Sequence, residues 1–294
     1  MPTSLPIFAS NAFASLTGLQ IIQARSGQDI PNDIDPRLVG KWNGDCFESP
    51  GVGTFGGFYN LQKENVTEDI RKILREICQQ IDNCEILLTL PSNHLDRFYP
   101  QIQAEALVQL GAKILFHETN HAISIKEWSS AWLSRGNQKK LRQCRENQLI
   151  FRQLSLAEMD ELYEILRKNR ENLGATVSMT LDQVRKSFLT FPEKYFAFGV
   201  YSGESMIAGA ICLESAPENL YVYMWGDLLE FRQISPIVFL CESLVNFSAS
   251  RDFEFLDLGT SSINGEIMPG VSRFKENLGA IGYEKSSVCF SKTH

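Results

Sequence analysis

The chain has 294 residues, of which 44% are hydrophobic, 21% charged and 11% aromatic. At roughly 150 residues per domain, this length points to two domains or one large one, and the proportions exclude disordered, collagenous and low-complexity classes. Lys plus Arg number 28 against 35 Asp plus Glu, a formal charge of -7, so broad nucleic-acid affinity is not expected and only a local basic patch would supply it.

The cysteine count is seven, an odd number scattered along the chain without a C-x-x-C pair. This is not a disulfide framework, and it suits a reducing, cytoplasmic setting. The amino end, MPTSLPIFASNAFASL, lacks the basic start and continuous apolar run of a signal peptide. No apolar run reaches membrane-spanning length, since even the segment from Ile234 is interrupted by Glu242 and Asn246.

In chain order, the first expected strand is Leu19 to Ala24, followed by a Pro-, Asp- and Gly-rich loop through Gly44. An aromatic strand in GTFGGFYNL (Gly53 to Leu61) leads to a helix from Thr67 to Ile81, with Thr67 as N-cap and Ile70, Leu74 and Ile77 on one apolar face. Glu85 to Pro91 reads as a buried strand. A helical segment from Leu95, restarted by Pro100, should end at Gly111 in a left-handed cap. Two short strands, Ala112 to Phe116 and His121 to Ile125, follow, then a mainly helical link from Glu127 to Asn147 that Gly136 interrupts.

The second half opens with two helices that carry capping-box spacing, Ser155 with Glu158 and Thr180 with Gln183. Strands Tyr195 to Gly203 and Ser205 to Ser215 form a hairpin through Gly203 and Glu204, and Leu220 to Asp227 is a third strand. A helix over Ser235 to Ser248, the strand Phe253 to Gly259, a Gly/Ser/Asn loop, a short helix over Gly270 to Leu278 and the strand Tyr283 to Ser291 complete the chain. Both halves run aromatic strand, helix, strand, helix, strand: a repeat of element order without sequence identity.

Two strings look like chemistry out of context. His117 to His121 spells HETNH, but zinc-protease chemistry needs both histidines one helical turn apart, and strand-like flanks predict a turn at Thr119-Asn120 instead. No metal is therefore expected. Gly51 to Gly56 spells GVGTFG, but a dinucleotide fingerprint needs a strand before it and a helix directly after it, and an aromatic strand follows here.

More weight falls on the last two thirds. Arg135, Lys139 and Arg142, at i, i+4 and i+7, fall on one face if the helix runs through Gly136, and such a row suits a phosphate-bearing ligand; a solvated charged face is the plainer alternative. In FEFLDLG, alternation puts Phe253, Phe255, Asp257 and Gly259 on one face, with Asp257 near the strand's carboxyl end, where clefts of α/β sheets open. Tyr221, Tyr223 and Trp225 alternate on a single face, either lining an acceptor groove or packing in the core. Asp227 and Glu230 follow them as carboxylates suited to receive a proton.

The order of Lys139 to Arg145 (KKLRQCR), Ile207 to Leu213 (IAGAICL), Trp225 to Asp227 (WGD), Leu256 to Gly259 (LDLG) and Gly270 to Ala280 (GVSRFKENLGA) resembles the GNAT acyltransferase superfamily. Within it, the pattern is similar to the Fem-type tandem-GNAT branch, which includes peptidoglycan aminoacyltransferases. The resemblance covers Ile125 to Ser291, with FKENLG after LDLG as its most specific part.

It implies an α/β (α+β) fold of tandem GNAT-like repeats, with mixed, mostly antiparallel sheets flanked by helices, divided at residues 1–125 and 126–294. It further implies transfer of an acetyl, acyl or aminoacyl group to an amine on a small molecule or cell-envelope peptide. Lys275 matches the Fem-type lysine and would stabilise the oxyanion, with Asp257 and Asp227 as the other catalytic candidates. Tyr223, Trp225, Arg135, Lys139, Arg142 and Arg273 would bind substrate. The donor would be acetyl-CoA or another acyl-CoA, or an aminoacyl-tRNA as the one nucleic-acid partner. One departure bears on this choice: GNAT enzymes using acetyl-CoA carry a Gly-rich pyrophosphate loop, and the corresponding Leu229 to Leu240 has no glycine and has Pro236 at the helix start. A non-catalytic GNAT-like binding module is the alternative that this departure favours.

Overall fold

A computed structural model describes residues 5–23, 35–81 and 84–292. The first elements are α1 (Asn11–Thr17), β1 (Gln20–Gln23), β2 (Arg37–Asn43), β3 (Cys46–Ser49), β4 (Phe58–Tyr59), α2 (Val66–Cys78), β5 (Glu85–Thr89), α3 (Pro100–Gln109) and β6 (Lys113–Ser124). They are followed by α4 (Arg135–Glu146), β7 (Ile150–Gln153), α5 (Met159–Asn172), α6 (Leu181–Thr190), β8 (Tyr195–Ser202), β9 (Ser205–Ala216) and β10 (Asn219–Asp227). The chain ends with α7 (Pro236–Ser250), β11 (Phe255–Thr260), β12 (Ser262–Ile263), β13 (Glu266–Ile267), α8 (Pro269–Glu276) and β14 (Ile281–Ser291).

Two compact units result: Met1–Asn120, Thr260–Met268 and Gly282–His294 make one, and His121–Gly259 with Pro269–Ile281 make the other. The first break lies close to the expected division at residue 125, but the division is not contiguous. The last strand returns to the first unit because Ser287 to Ser291 pair antiparallel with Thr89 to Glu85.

In the first unit the strands lie in the order β1-β2-β3-β5-β14-β6, with β4 paired to β2. Helix α2 buries Ile70, Ile73, Leu74 and Ile77 against Ile86, Leu88 and Leu107. Full burial of each such side chain contributes about 1.5–3 kcal/mol, so this face holds the helix on the sheet. Residues 37–43, expected as loop, form β2 instead: its Leu38 and Val39 are buried, and the strand is paired on both edges, with β1 and with β3. Asn65, rather than Thr67, is the N-cap of α2. Ala24, residues 25–34 of the expected loop, and His294 lie outside the described residues.

The expected turn at Thr119-Asn120 is absent. HETNH lies inside the single strand β6, whose twelve residues run without interruption. Both histidines thus point to one side of a strand about 13 Å apart, at 3.3 Å per residue, whereas a helical turn would put them side by side. Among the described residues, no group of three or more His, Cys, Asp and Glu is placed to hold a metal ion.

In the second unit the order is β6-β11-β10-β9-β8-β7. The β8/β9 hairpin closes at Ser202↔Ser205 as expected, and both capping boxes form, at Ser155/Glu158 and Thr180/Gln183. Helix α4 starts at Arg135 with Ser134 as N-cap, so Gly136 sits in its first turn and does not break it. Its Leu141 and Cys144 join Leu240, Leu244, Phe198 and Leu256 in the core. No helix among the described residues is long and apolar enough to cross a membrane.

Candidate active site

Strands β10 and β11 run parallel, but their pairing is confined to Asn219↔Phe255, Leu220↔Leu256 and Tyr221↔Asp257. Beyond that point β10 continues along β9 as far as Asp227↔Ala208, with a register shift between Val222 and Met224 that leaves Tyr223 as a bulge. A bulge bends its strand and increases the local twist. The parallel strands therefore part just past Tyr221 and Asp257, on the side toward their carboxyl ends, the side on which open α/β sheets bind ligands.

Asp257 sits at this fork. Its Oδ1 accepts from the Gly259 amide at 2.8 Å, and its Oδ2 from Asn219 Nδ2 at 3.4 Å. Asn219 is itself held by Ser215 Oγ at 2.8 Å. Gly259 has φ +81°, a conformation that L side chains rarely adopt, and a Cβ there would meet the Tyr221 ring at 3.4 Å. The carbonyl of Gly259 accepts from Lys275 Nζ at 2.8 Å. Lys275 thus reaches from α8 to the last turn of β11 as a buried ammonium.

Burial is the main reason that the Lys275 pKa falls from 10.5 to about 8; the Asp257 carboxylate opposes the fall and Arg170 adds to it. At neutral pH the group remains charged, in surroundings where a charge acts strongly. Beside it lies His121, buried on β6, whose Nε2 is 3.4 Å from Ser272 Oγ and 3.6 Å from Glu276 Oε1. Burial first, then the Lys275 charge, holds this imidazole below its ordinary pKa, with Glu276 and Asp257 opposing.

One face of β10 beside the fork is aromatic. Tyr221, Tyr223 and Trp225 are half-buried on one face of β10, with Tyr221 and Tyr223 edge to face at 6.4 Å and Trp225 at 5.8 Å from Phe274 of α8. Burial pushes the Tyr221 and Tyr223 phenols up, so both stay neutral donors. Trp225 also packs against the core of this unit.

Asp227 is elsewhere. It lies six residues beyond Tyr221, the residue level with Asp257, which is roughly 20 Å along a strand. Asn169 Nδ2 donates to its carbonyl at 3.0 Å and its Oδ1 at 3.2 Å, while Arg232 Nε approaches Oδ1 at 3.4 Å. Gly226 permits this clasp, since a Cβ there would stand 2.6 Å from Asn169 Cγ. Burial holds the Asp227 carboxyl above the ordinary carboxylate range, against the pull of Arg232 and Lys140. Lys275 and Asp257 are therefore brought together and Asp227 forms a second cluster; Glu230 and Arg273 are exposed.

Arg135, Lys139 and Arg142 are exposed on α4, while Arg145 of the same helix clasps the buried Glu242 through two contacts of 2.8 Å. The turn before α7 does not fit a pyrophosphate cradle. Ser235 stands at φ 52°, Pro236 at the first helical position has no amide proton, and the Cys144 thiol donates to Ile234 O at 3.1 Å. The backbone there is already engaged and offers few free amides.

Asn169, Arg170, Asn219 and the place of His121 beside Lys275 and Glu276 are not evident from the sequence. Asn169 and Arg170 sit in an ordinary amphipathic helix, and only the third dimension brings them to β10.

FemX superposes with a TM-score of 0.69 over 97% of this chain and 92% of its own, at 11% identity. The fold is that of FemX. L-PGS from Bacillus licheniformis (TM-score 0.62, 10% identity, 98% of this chain and 87% of that one) shares it. So does a conserved protein of unknown function from Bacteroides thetaiotaomicron (0.63, 10%, 98% and 91%). No protein-family model matches the sequence and no curated protein does. The Fem-like resemblance read from the motifs thus holds at the level of fold, and a mixed α/β architecture is shown.

Proposed function

We propose that this protein is an N-acyltransferase acting at the fork of β10 and β11. The observation that carries this reading is the buried Lys275 ammonium on the Gly259 carbonyl, beside Asp257, where the strands part. An amine nitrogen attacks the donor's carbonyl carbon, the new C–N bond forms, and the bond to the leaving group breaks. Negative charge develops on the carbonyl oxygen, and Lys275 stabilises it by about 3 kcal/mol, the range of a positioned oxyanion donor. Asp257 and Asn219 hold the lysine's anchor in place. Asp257, at the same fork, accepts the amine proton; Asp227, roughly 20 Å along the strand, takes no part in this step.

An aminoacyl ester suits the donor side better than an acyl-CoA, because the turn at Ser235–Pro236 offers no glycine cradle while α4 presents Arg135, Lys139 and Arg142. Those three cations would meet the phosphates of an aminoacyl-tRNA. L-PGS and FemX, which share the fold, support acyl or aminoacyl transfer in general.

The test is transfer of a labelled aminoacyl group from tRNA, and separately of labelled acetyl from CoA, to amine acceptors, with Lys275→Ala as the comparison. Loss of transfer in a folded Lys275→Ala protein is expected, and full activity there removes the lysine from the mechanism. Replacing Arg135, Lys139 and Arg142 by Gln should lower the slope of log K against log salt for tRNA by about 2 to 3. A thermal-shift response to acceptor peptides but to neither donor would favour the binding-module reading, which the missing glycine loop supports.

A further inference from the structure

The first unit contains a cavity unconnected with the acyl-transfer chemistry. It measures about 340 Å³, between α2 and the end of β14. Its floor is apolar, built from Leu74, Leu110 and Phe290, and its rim carries Arg71, Arg75 and Lys292, with no carboxylate among the lining residues. Three cations line this apolar hollow and no carboxylate does, an unusual local balance in a chain whose formal charge is -7.

The rim has room for a further anion. Lys292 Nζ donates to the Cys78 carbonyl at 3.4 Å, which offsets the negative end of α2 at the cavity's edge. The last amide after the helix, that of Gln79, is already bonded to Arg75 O. Arg71 pairs with Glu68, and Arg75 forms no ion pair among the described residues. The volume is near the lower end of small-ligand sites, about 300–1,000 Å³, so it takes a single short chain and is too small for two acyl tails.

We propose that this cavity binds a single-chain amphiphilic anion: an alkyl chain of medium length on Leu74, Leu110 and Phe290, with a carboxylate or phosphate headgroup held by Arg75, Lys292 and Arg71. The chain contributes affinity by burial and the head contributes charge-assisted hydrogen bonds, bidentate where arginine meets a planar carboxylate. The site is independent of the Lys275 cleft, and its occupancy does not rest on the acyltransferase reading.

The test is calorimetric titration of the full chain with hexanoate, octanoate and decanoate, alongside decanol, decylamine, acetate and phosphatidylglycerol vesicles. Affinity should rise about fourfold per added methylene until the hollow is full, and decanoate should bind at least tenfold tighter than decanol. Arg75→Gln with Lys292→Gln should weaken decanoate roughly tenfold, and Leu110→Glu should abolish binding, each with the unliganded Tm of the wild type. Should either variant unfold, the chain-length and headgroup series on the wild type decides alone. Equal binding of decylamine, no gain with chain length, or binding to vesicles without binding to decanoate overturns the proposal.

Discussion

Replacing Lys275 by Met should change the protein's stability in a way that depends on pH with a definite sign. The lysine's pKa is 10.5 when unfolded and about 8 when folded. At pH 7 it is protonated in both states, and holding the buried charge costs about 3 kcal/mol relative to a neutral group. As the pH rises through 8 the folded protein releases this proton while the unfolded chain still holds it, so stability is gained. By pH 10 the remaining cost is about 1 kcal/mol. Wild type should therefore gain about 2.5 kcal/mol relative to Lys275→Met between pH 7 and pH 10. Other groups titrate in this window, notably Cys84 and Cys144, whose thiols burial pushes up to about 12 and about 11. They act in the opposite direction, but both proteins share them and the difference cancels. Urea unfolding at four pH values across this range measures the difference. A gap between the two proteins that stays constant within about 0.5 kcal/mol would show that Lys275 is not a buried cation, and the oxyanion role would fall with it.

If the ammonium form is the working form, kcat/KM for transfer should fall as pH rises above about 8, the folded pKa of Lys275; a rate that climbs steadily to pH 10 speaks against it. Gly226→Ala forces a Cβ to 2.6 Å from Asn169 Cγ and should cost about 1–3 kcal/mol, seen as a lowered urea midpoint. Arg145→Ala strips two 2.8 Å hydrogen bonds from the buried Glu242, and about 1–3 kcal/mol of destabilisation is expected, while Arg142→Ala on the exposed side should leave stability within about 0.5 kcal/mol of wild type. Ile70→Ala, which empties a fully buried position on α2, should cost about 2–5 kcal/mol.

Much of the architecture could be read from local chemistry. The capping boxes at Ser155 and Thr180, the Gly203 hairpin and the helix opened by Pro100 each depend on residues a few positions apart, and each appears where the spacing places it. The failures share a cause. Residues 37–43 become a strand only because β1 and β3 flank them, and Thr119-Asn120 stays extended inside β6, which lies in the sheet between β14 and β11. Turn-forming residues lose to a ladder of backbone hydrogen bonds that no local window can anticipate.

The site divides along the same line. The Fem-type resemblance carried by FKENLG and LDLG points to Lys275, and strand alternation in FEFLDLG puts Asp257 on a face near the strand's end. Tertiary structure alone decides that Lys275 is buried on the Gly259 carbonyl, that Arg170 lowers its pKa, and that Asp227 sits about 20 Å along the strand from the level of Asp257. Those outcomes rest on the three-residue pairing of β10 with β11 and on the bulge at Tyr223. The sequence by itself determined which groups carry charge and which segments form helices or paired strands, because those follow from side-chain chemistry and short-range spacing. Where the charges meet was decided by the packing of distant segments, because burial and electrostatic coupling depend on distance in space and not along the chain.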